Sequence, residues 1–203
     1  MSNSTPVIPP TALRRLDTAS AAELSRLVAA FEELQTVLRC CERLIDEFGR
    51  AEDEPDDLAV EAAWTLALLS YGRTFGLDGA QPVLTEADLV STQPDGDVLS
   101  WHRLLIGLRA RHAHPAANPR ELFSVGVAQD ADGAASAIAI TSARQPSVDA
   151  ITVRQTGALA YGLCRLLDER IAAQQATVFD EVRRYTPAQV GRLTELDLAP
   201  ATG

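Results

Sequence analysis

Positive charge is scarce in this chain: 18 Lys and Arg stand against 28 Asp and Glu, a formal net charge of -10. Non-specific affinity for duplex nucleic acid comes mostly from neutralising phosphates with basic side chains, so that mode is excluded and any nucleic-acid contact must be local. Aromatic residues make up only 5%, against the aromatic and β-branched richness of sheet proteins. Three cysteines, two of them the adjacent Cys40 and Cys41, do not make a disulfide framework. Cys41 and Cys164 fall at apolar helix positions, where a free thiol behaves as a small hydrophobe. No run reaches the roughly 20 apolar residues of a membrane span. The N-terminus "MSNSTPVIPP" lacks a basic segment followed by an apolar one, so a cytoplasmic protein without membrane attachment is expected. Gly-rich phosphate loops, nucleophile elbows and CxxC pairs are missing, and Ser124 and Thr141 have no neighbouring base in sequence. Ordinary hydrolase and kinase chemistries are thereby excluded. There is no internal repeat and no low-complexity linker.

What is present is a globular composition, 46% hydrophobic over 203 residues, dominated by the helix formers Ala and Leu. Ser20 and Glu23 have the spacing of a capping box. Leu24, Leu27, Val28, Phe31, Leu34, Leu38, Cys41, Ile45 and Phe48 then recur at steps of three and four up to Gly49, which predicts a long bundle helix. The acidic "EDEPDD" at 52–57 reads as a solvated loop or a dock for a basic partner. "LAVEAAWTLALLSYGRTFG" is apolar nearly all round, as in a helix buried at the centre of a bundle. Arg73 near its end is either a buried-looking site residue or an arginine that reaches the surface. A short helix is expected at "TEADLV", then a third long helix at "DVLSWHRLLIGLRARHA" carrying Trp101, Leu104, Leu105 and Leu108 inward. Pro115 ends it, leaving His114 in the last turn or just beyond.

Two apolar alternations, at Phe123, Val125, Val127 and at Ile138, Ile140, flank "DADG" and predict a β-hairpin over about 122–142. Covering the core suffices to explain their alternation. A helix from Ser147 to about Tyr185 follows, with Leu159, Leu163, Leu166, Leu167 and Val178 inward. Thr186 and Pro187 open a short final helix as N-cap and first-turn residue.

The scarce cations are concentrated. "GLRARHAHPAANPRE", residues 107–121, holds three arginines and two of the three histidines. Arg109 and His114 stand five positions apart; at about 100° per residue they lie well apart around a continuous helix, and meet only if the helix ends between them. His112 and His114 as a metal pair would need a strand, since a helix separates them by about 200°, and no Cys, Asp or Glu nearby completes a zinc set. His102 is read as a packing residue beside Trp101.

An arginine followed by four residues and a histidine, at the end of a helix in an α-rich chain, resembles the R-x4-6-H motif of the HEPN domain family. "SYGRTFG" and "LRARHAH" followed by a hairpin are similar to segments of HEPN-like bacterial proteins. The resemblance covers about residues 20–185 and implies a mainly α, HEPN-like helical bundle with one β-hairpin inserted before the long C-terminal helix. On that reading residues 1–10 are a disordered N-terminus, 11–198 one domain and 199–203 a tail. It further implies a homodimer whose facing motifs form a composite, metal-independent endoribonuclease site that needs no cofactor. In that site Arg109 and His114 are catalytic, and Arg111, His112, Arg73 and Asn118 bind the RNA substrate. The implied setting is stress response, toxin–antitoxin pairing or phage defence, with an antitoxin or defence-system partner protein. Ala110 stands where the family usually has a polar residue. The alternative is a catalytically inactive HEPN-like module that binds a nucleotide, RNA or protein partner. Ala116 replaces the tyrosine that one subfamily has modified, so that form of regulation is not implied.

Overall fold

The structure, a computed structural model, describes residues 12–50, 55–76, 81–92, 96–114 and 118–196. The expected disordered start at 1–10 and the tail at 199–203 lie outside the described residues. Among the described residues 63% are helical, with a hairpin ahead of a long C-terminal helix, so the expected bundle-plus-hairpin architecture is found. The polypeptide divides into two compact units, Val28–Asp168 and the pair of end segments Met1–Leu27 with Glu169–Gly203.

In the smaller unit, strand β1 (Leu13–Arg14) pairs antiparallel with β4 (Glu195–Leu196), tying the two ends of the described chain together. Arg14 adds a 3.1 Å ion pair to Glu195. Helix α1 (Ala19–Phe48) opens here, but not on the expected box. Thr18 accepts the Ala21 N–H at 3.2 Å, while Ser20 donates to Glu181 and Glu23 pairs with Arg26. The cap thus sits two residues earlier because tertiary partners claim the residues that have capping-box spacing. Helix α6 (Pro187–Gly191) has the expected Thr186 cap, reciprocated by Gln189.

The larger unit holds the rest of α1, helix α2 (Asp57–Thr74), α3 (Glu86–Ser91), α4 (Val98–Ala113), the hairpin β2 (Glu121–Gln129) and β3 (Ala135–Arg144), and most of α5 (Ala150–Val182). Asp56 caps α2 by accepting the Leu58 and Ala59 N–H groups, and Asp57 is its first residue. The end of the acidic stretch is therefore a helix start rather than a solvated loop; its first residues are not described. Leu34, Val37, Leu44, Leu68, Leu105 and Leu163 are among the fully buried core side chains. Gly157 brings α5 close to α1, since a Cβ there would lie 3.5 Å from the Cys41 Cβ.

α2 is not buried all round: Leu58 and Leu66 are exposed while Val60, Trp64, Leu68 and Tyr71 are buried. α4 buries His102 and Leu105, and Leu104, expected inward, faces out because it lies one step of 100° off that face. His102 Nδ1 meets the Tyr71 hydroxyl at 2.8 Å, and its ring lies 4.5 Å from that of Phe75. Tyr71 opposite His102 and Thr65 opposite His112 make α2 and α4 antiparallel neighbours.

The hairpin turns through Asp130, whose carboxylate accepts the Asp132 and Ala134 N–H groups, and Gly133, whose φ of 84° is a conformation that favours glycine. All ten residues of β3 and seven of the nine in β2 are exposed. Of the roles the sequence left open for the hairpin, covering the core is not the one these exposures fit. Its alternation is real, but both sides of the strand pair are exposed.

Candidate functional site

Pro115 follows His114, and the residue before a proline is pushed out of the α region. His114 accordingly caps α4 at φ -83°, ψ 123°, an extended conformation, one residue after the helix ends at Ala113. The break between Arg109 and His114 that their meeting requires is present. Arg111 and His112 lie in the last turn, where the unpaired carbonyls and the helix dipole favour cations. That is one physical reason an acidic chain can concentrate arginine here.

The four motif residues divide by the faces they occupy. Arg109 and His112, three apart, continue the face that buries His102 and Leu105, and both are half-buried. Arg111 and His114 are exposed. His112 Nδ1 lies 3.0 Å from the Thr65 hydroxyl of α2, a hydrogen bond that engages one of the two ring nitrogens. Burial depresses the His112 pKa below the usual imidazole range; the Glu61 carboxylate pulls it up and the Arg120 guanidinium pushes it down. His112 is therefore neutral at pH 7, a proton acceptor rather than a cation.

Glu61 is also the carboxylate that holds the hairpin's base, since Arg120 Nε donates to it at 2.7 Å. Arg144, at the end of β3, pairs with Asp57 one turn earlier on α2. Each guanidinium is stabilised in its charged form by its carboxylate. Asp57, Glu61 and Thr65 thus stand at steps of four along one face of α2, and between them hold both ends of the hairpin and the motif imidazole.

Two further expected substrate-binding residues have protein partners of their own. Arg73 is exposed and pairs with Glu33 of α1 at 3.1 Å. It lies eight residues beyond Thr65, about 12 Å along α2 by the helical rise, toward the start of α4 and away from His114. The buried look of its sequence neighbourhood came from Tyr71, Gly72 and Thr74, which are the buried residues there. Asn118 accepts the Arg120 and Glu121 N–H groups at 2.9 and 3.2 Å, so its carbonyl is committed to starting the hairpin.

Sequence reasoning missed Thr65, Glu61 and Arg120. A helix-face plot of α2 would have aligned Asp57, Glu61 and Thr65, but nothing local tells which element meets them. A second signal was legible: all 18 basic residues are arginine and none is lysine. Arginine's planar, permanently charged fork suits bidentate contact with phosphate or carboxylate. Among the described residues no group of three or more His, Cys, Asp or Glu could hold a metal ion, and no helix is long and apolar enough to cross a membrane. No family model matches the chain, and neither a curated protein nor a solved structure matches it significantly.

Proposed function

We propose that this chain is a HEPN-type endoribonuclease that works without a metal, its site completed by the facing motif of a second copy, in a stress-response or phage-defence role. The observation that carries the reading is the end of α4. Helix α4 ends between Arg109 and His114, leaving an exposed imidazole five residues after one arginine and three after another in an otherwise acidic protein.

The chemistry needs a base and an acid. A ribose 2'-OH loses its proton to one imidazole as its oxygen bonds to phosphorus. The bond from phosphorus to the 5'-oxygen breaks, and a second imidazole protonates that leaving oxygen. One copy offers one His114, and two copies offer the pair. Arg109 and Arg111 bear the negative charge that gathers on the phosphoryl oxygens. His112, neutral and held by Thr65, supports RNA contact at the 2'-OH, the group that separates RNA from DNA. An antitoxin or another defence-system protein is the partner class such an activity calls for.

A second reading, a silent module that binds a nucleotide, RNA or protein, is favoured by one specific observation. Ala110 supplies no polar group after the motif arginine, and Asn118, the nearest substitute, is spent on the hairpin turn. Cleavage of a labelled structured RNA with and without EDTA, beside Arg109→Ala and His114→Ala, separates the two. Cleavage that survives EDTA and is lost in both folded variants supports the nuclease. An intact RNA with wild-type protein, retarded in a gel by the wild type but not by Arg109→Ala, supports the binding module.

A further inference from the structure

We propose that the apolar face of the β2–β3 hairpin is a homodimer interface, on which a second copy of this chain packs its own hairpin face to face and antiparallel. The proposal stands apart from the nuclease reading, since it rests on the hairpin alone.

Strand pairing puts Phe123, Val125 and Val127 on one side together with Ile140 and Ile138, which are the cross-strand partners of Val125 and Val127. These five side chains are between 56% and 72% exposed. That leaves roughly 500 Å² of contiguous apolar surface, near the top of the range of about 300–600 Å² for the largest patch on a monomer. A two-stranded hairpin with both faces in water is at best marginally stable alone, so this one needs a cover. Two such faces closed on each other remove about 1,000 Å², near the lower bound for a specific interface. Edge-to-edge pairing would leave the apolar face wet.

Charge identifies the occupant. From Leu122 to Ala143 there is no Arg, Lys or His, and the only charges are Asp130 and Asp132 at the tip. A nucleic acid finds no cation to neutralise there. The base, by contrast, carries Arg120 and Arg144. The centre of the patch lies at Val125, five residues from Arg120 at the base and five from Asp130 at the tip, about 16 Å each way at the rise of a strand. A two-fold axis through that centre therefore lays each acidic tip over the other copy's arginine base. Each guanidinium has five N–H donors and can hold a second carboxylate beside Asp57 or Glu61. A parallel arrangement would bring four aspartates together at one end. The surface is thus complementary to itself in one orientation: apolar in the middle, acidic at one end, basic at the other.

Sedimentation equilibrium of the full chain tests this, with Ile140→Asp on the apolar face and Thr141→Asp on the reverse face, each checked for unchanged helix content. Wild type and Thr141→Asp are expected as dimers in the micromolar range, and Ile140→Asp as a monomer with its dimerisation weakened at least ~100-fold by the buried charge. A wild type that stays monomeric to roughly 100 µM overturns the proposal, as does monomeric Thr141→Asp. A dimer that survives Ile140→Asp also overturns it, while leaving a two-copy nuclease site standing on some other face.

Discussion

A buried hydrogen bond between Tyr71 and His102 joins α4 to α2, and its removal should be felt in full. Both residues are buried, Tyr71 almost completely, and the two groups meet at 2.8 Å with the Phe75 ring tilted against both rings. Tyr71→Phe deletes one oxygen and leaves Nδ1 of His102 without its partner in an apolar setting. An orphaned buried polar group costs about 1–3 kcal/mol. For a chain of this size 2 kcal/mol lowers Tm by roughly 4–8 °C. His102→Leu orphans the tyrosine hydroxyl instead and should cost a similar amount. The double variant removes both polar groups, so its cost should fall short of the sum by about 1–2 kcal/mol. Urea unfolding followed by circular dichroism at pH 8 measures all four corners of the cycle. Additive costs would refute the claim that this bond joins the two helices.

The same histidine gives the experiment a pH axis. Burial is the main cause that holds the His102 pKa below the usual imidazole range, with Glu86 opposing and Arg103 assisting. The unfolded chain therefore binds a proton near pH 6.5 that the folded chain refuses, and stability rises with pH there. It is complete above the unfolded value and is lost as pH falls through the window below 6.5, at up to about 1.4 kcal/mol per pH unit per histidine. His112 is depressed in the same direction. His102→Leu should thus shallow the dependence between pH 7 and pH 5 without abolishing it, and an unchanged slope would remove His102 from the account.

Three further outcomes follow from the packing. Gly157→Ala should stabilise by about 0.5–1 kcal/mol through helix propensity, because its Cβ meets Cys41 at an ordinary 3.5 Å, whereas Gly157→Leu should cost about 1–3 kcal/mol by overpacking; thermal melts of the two read opposite signs. Cys40, Cys41 and Cys164 are buried, and burial pushes the Cys41 and Cys164 thiols up to about 12 and about 11, so an aromatic disulfide reagent at pH 8 should react with them only after urea is added. Glu61→Gln should lower the His112 pKa further, since it removes the carboxylate that pulls it up and leaves the Arg120 charge uncompensated; an imidazole NMR titration that moves upward instead would contradict the assignment.

Local chemistry was the part of this fold that could be read from the chain. Pro115 fixes the end of α4, Thr186 and Pro187 open α6, and "DADG" forms the hairpin turn, each through bonds that span fewer than five residues. The misreadings involve partners distant in sequence. Ser20 looked like a cap, but Glu181, 161 positions away, takes its hydroxyl. Leu104 looked buried because apolar residues surround it in sequence, yet the buried face passes through His102 and Leu105 instead. For Arg73, left open between a site residue and an arginine that reaches the surface, the exposed position fits the second. The hairpin's alternation identified a two-sided strand pair correctly, but periodicity is silent on what lies against either side. In the candidate site, His114 and the arginines were legible as a motif. The grip of Thr65 on His112 was not, because hydrogen bonds across 47 positions leave no local mark.

The placement of Asp57, Glu61 and Thr65 on one face of α2 also says how hairpin and motif are related. A hairpin that touches the helices mainly at its base is positioned by its two arginines, and both end on this face. Each of those ion pairs is exposed, and exposed pairs hold geometry only weakly. The hairpin's direction is therefore soft in an isolated chain. A second copy that covers the apolar face would constrain it, and in doing so would constrain Arg120, which shares Glu61's field with His112. Dimerisation on the hairpin would then be sensed at the motif imidazole through a single carboxylate, with α4 still joined to α2 by Tyr71 and His102.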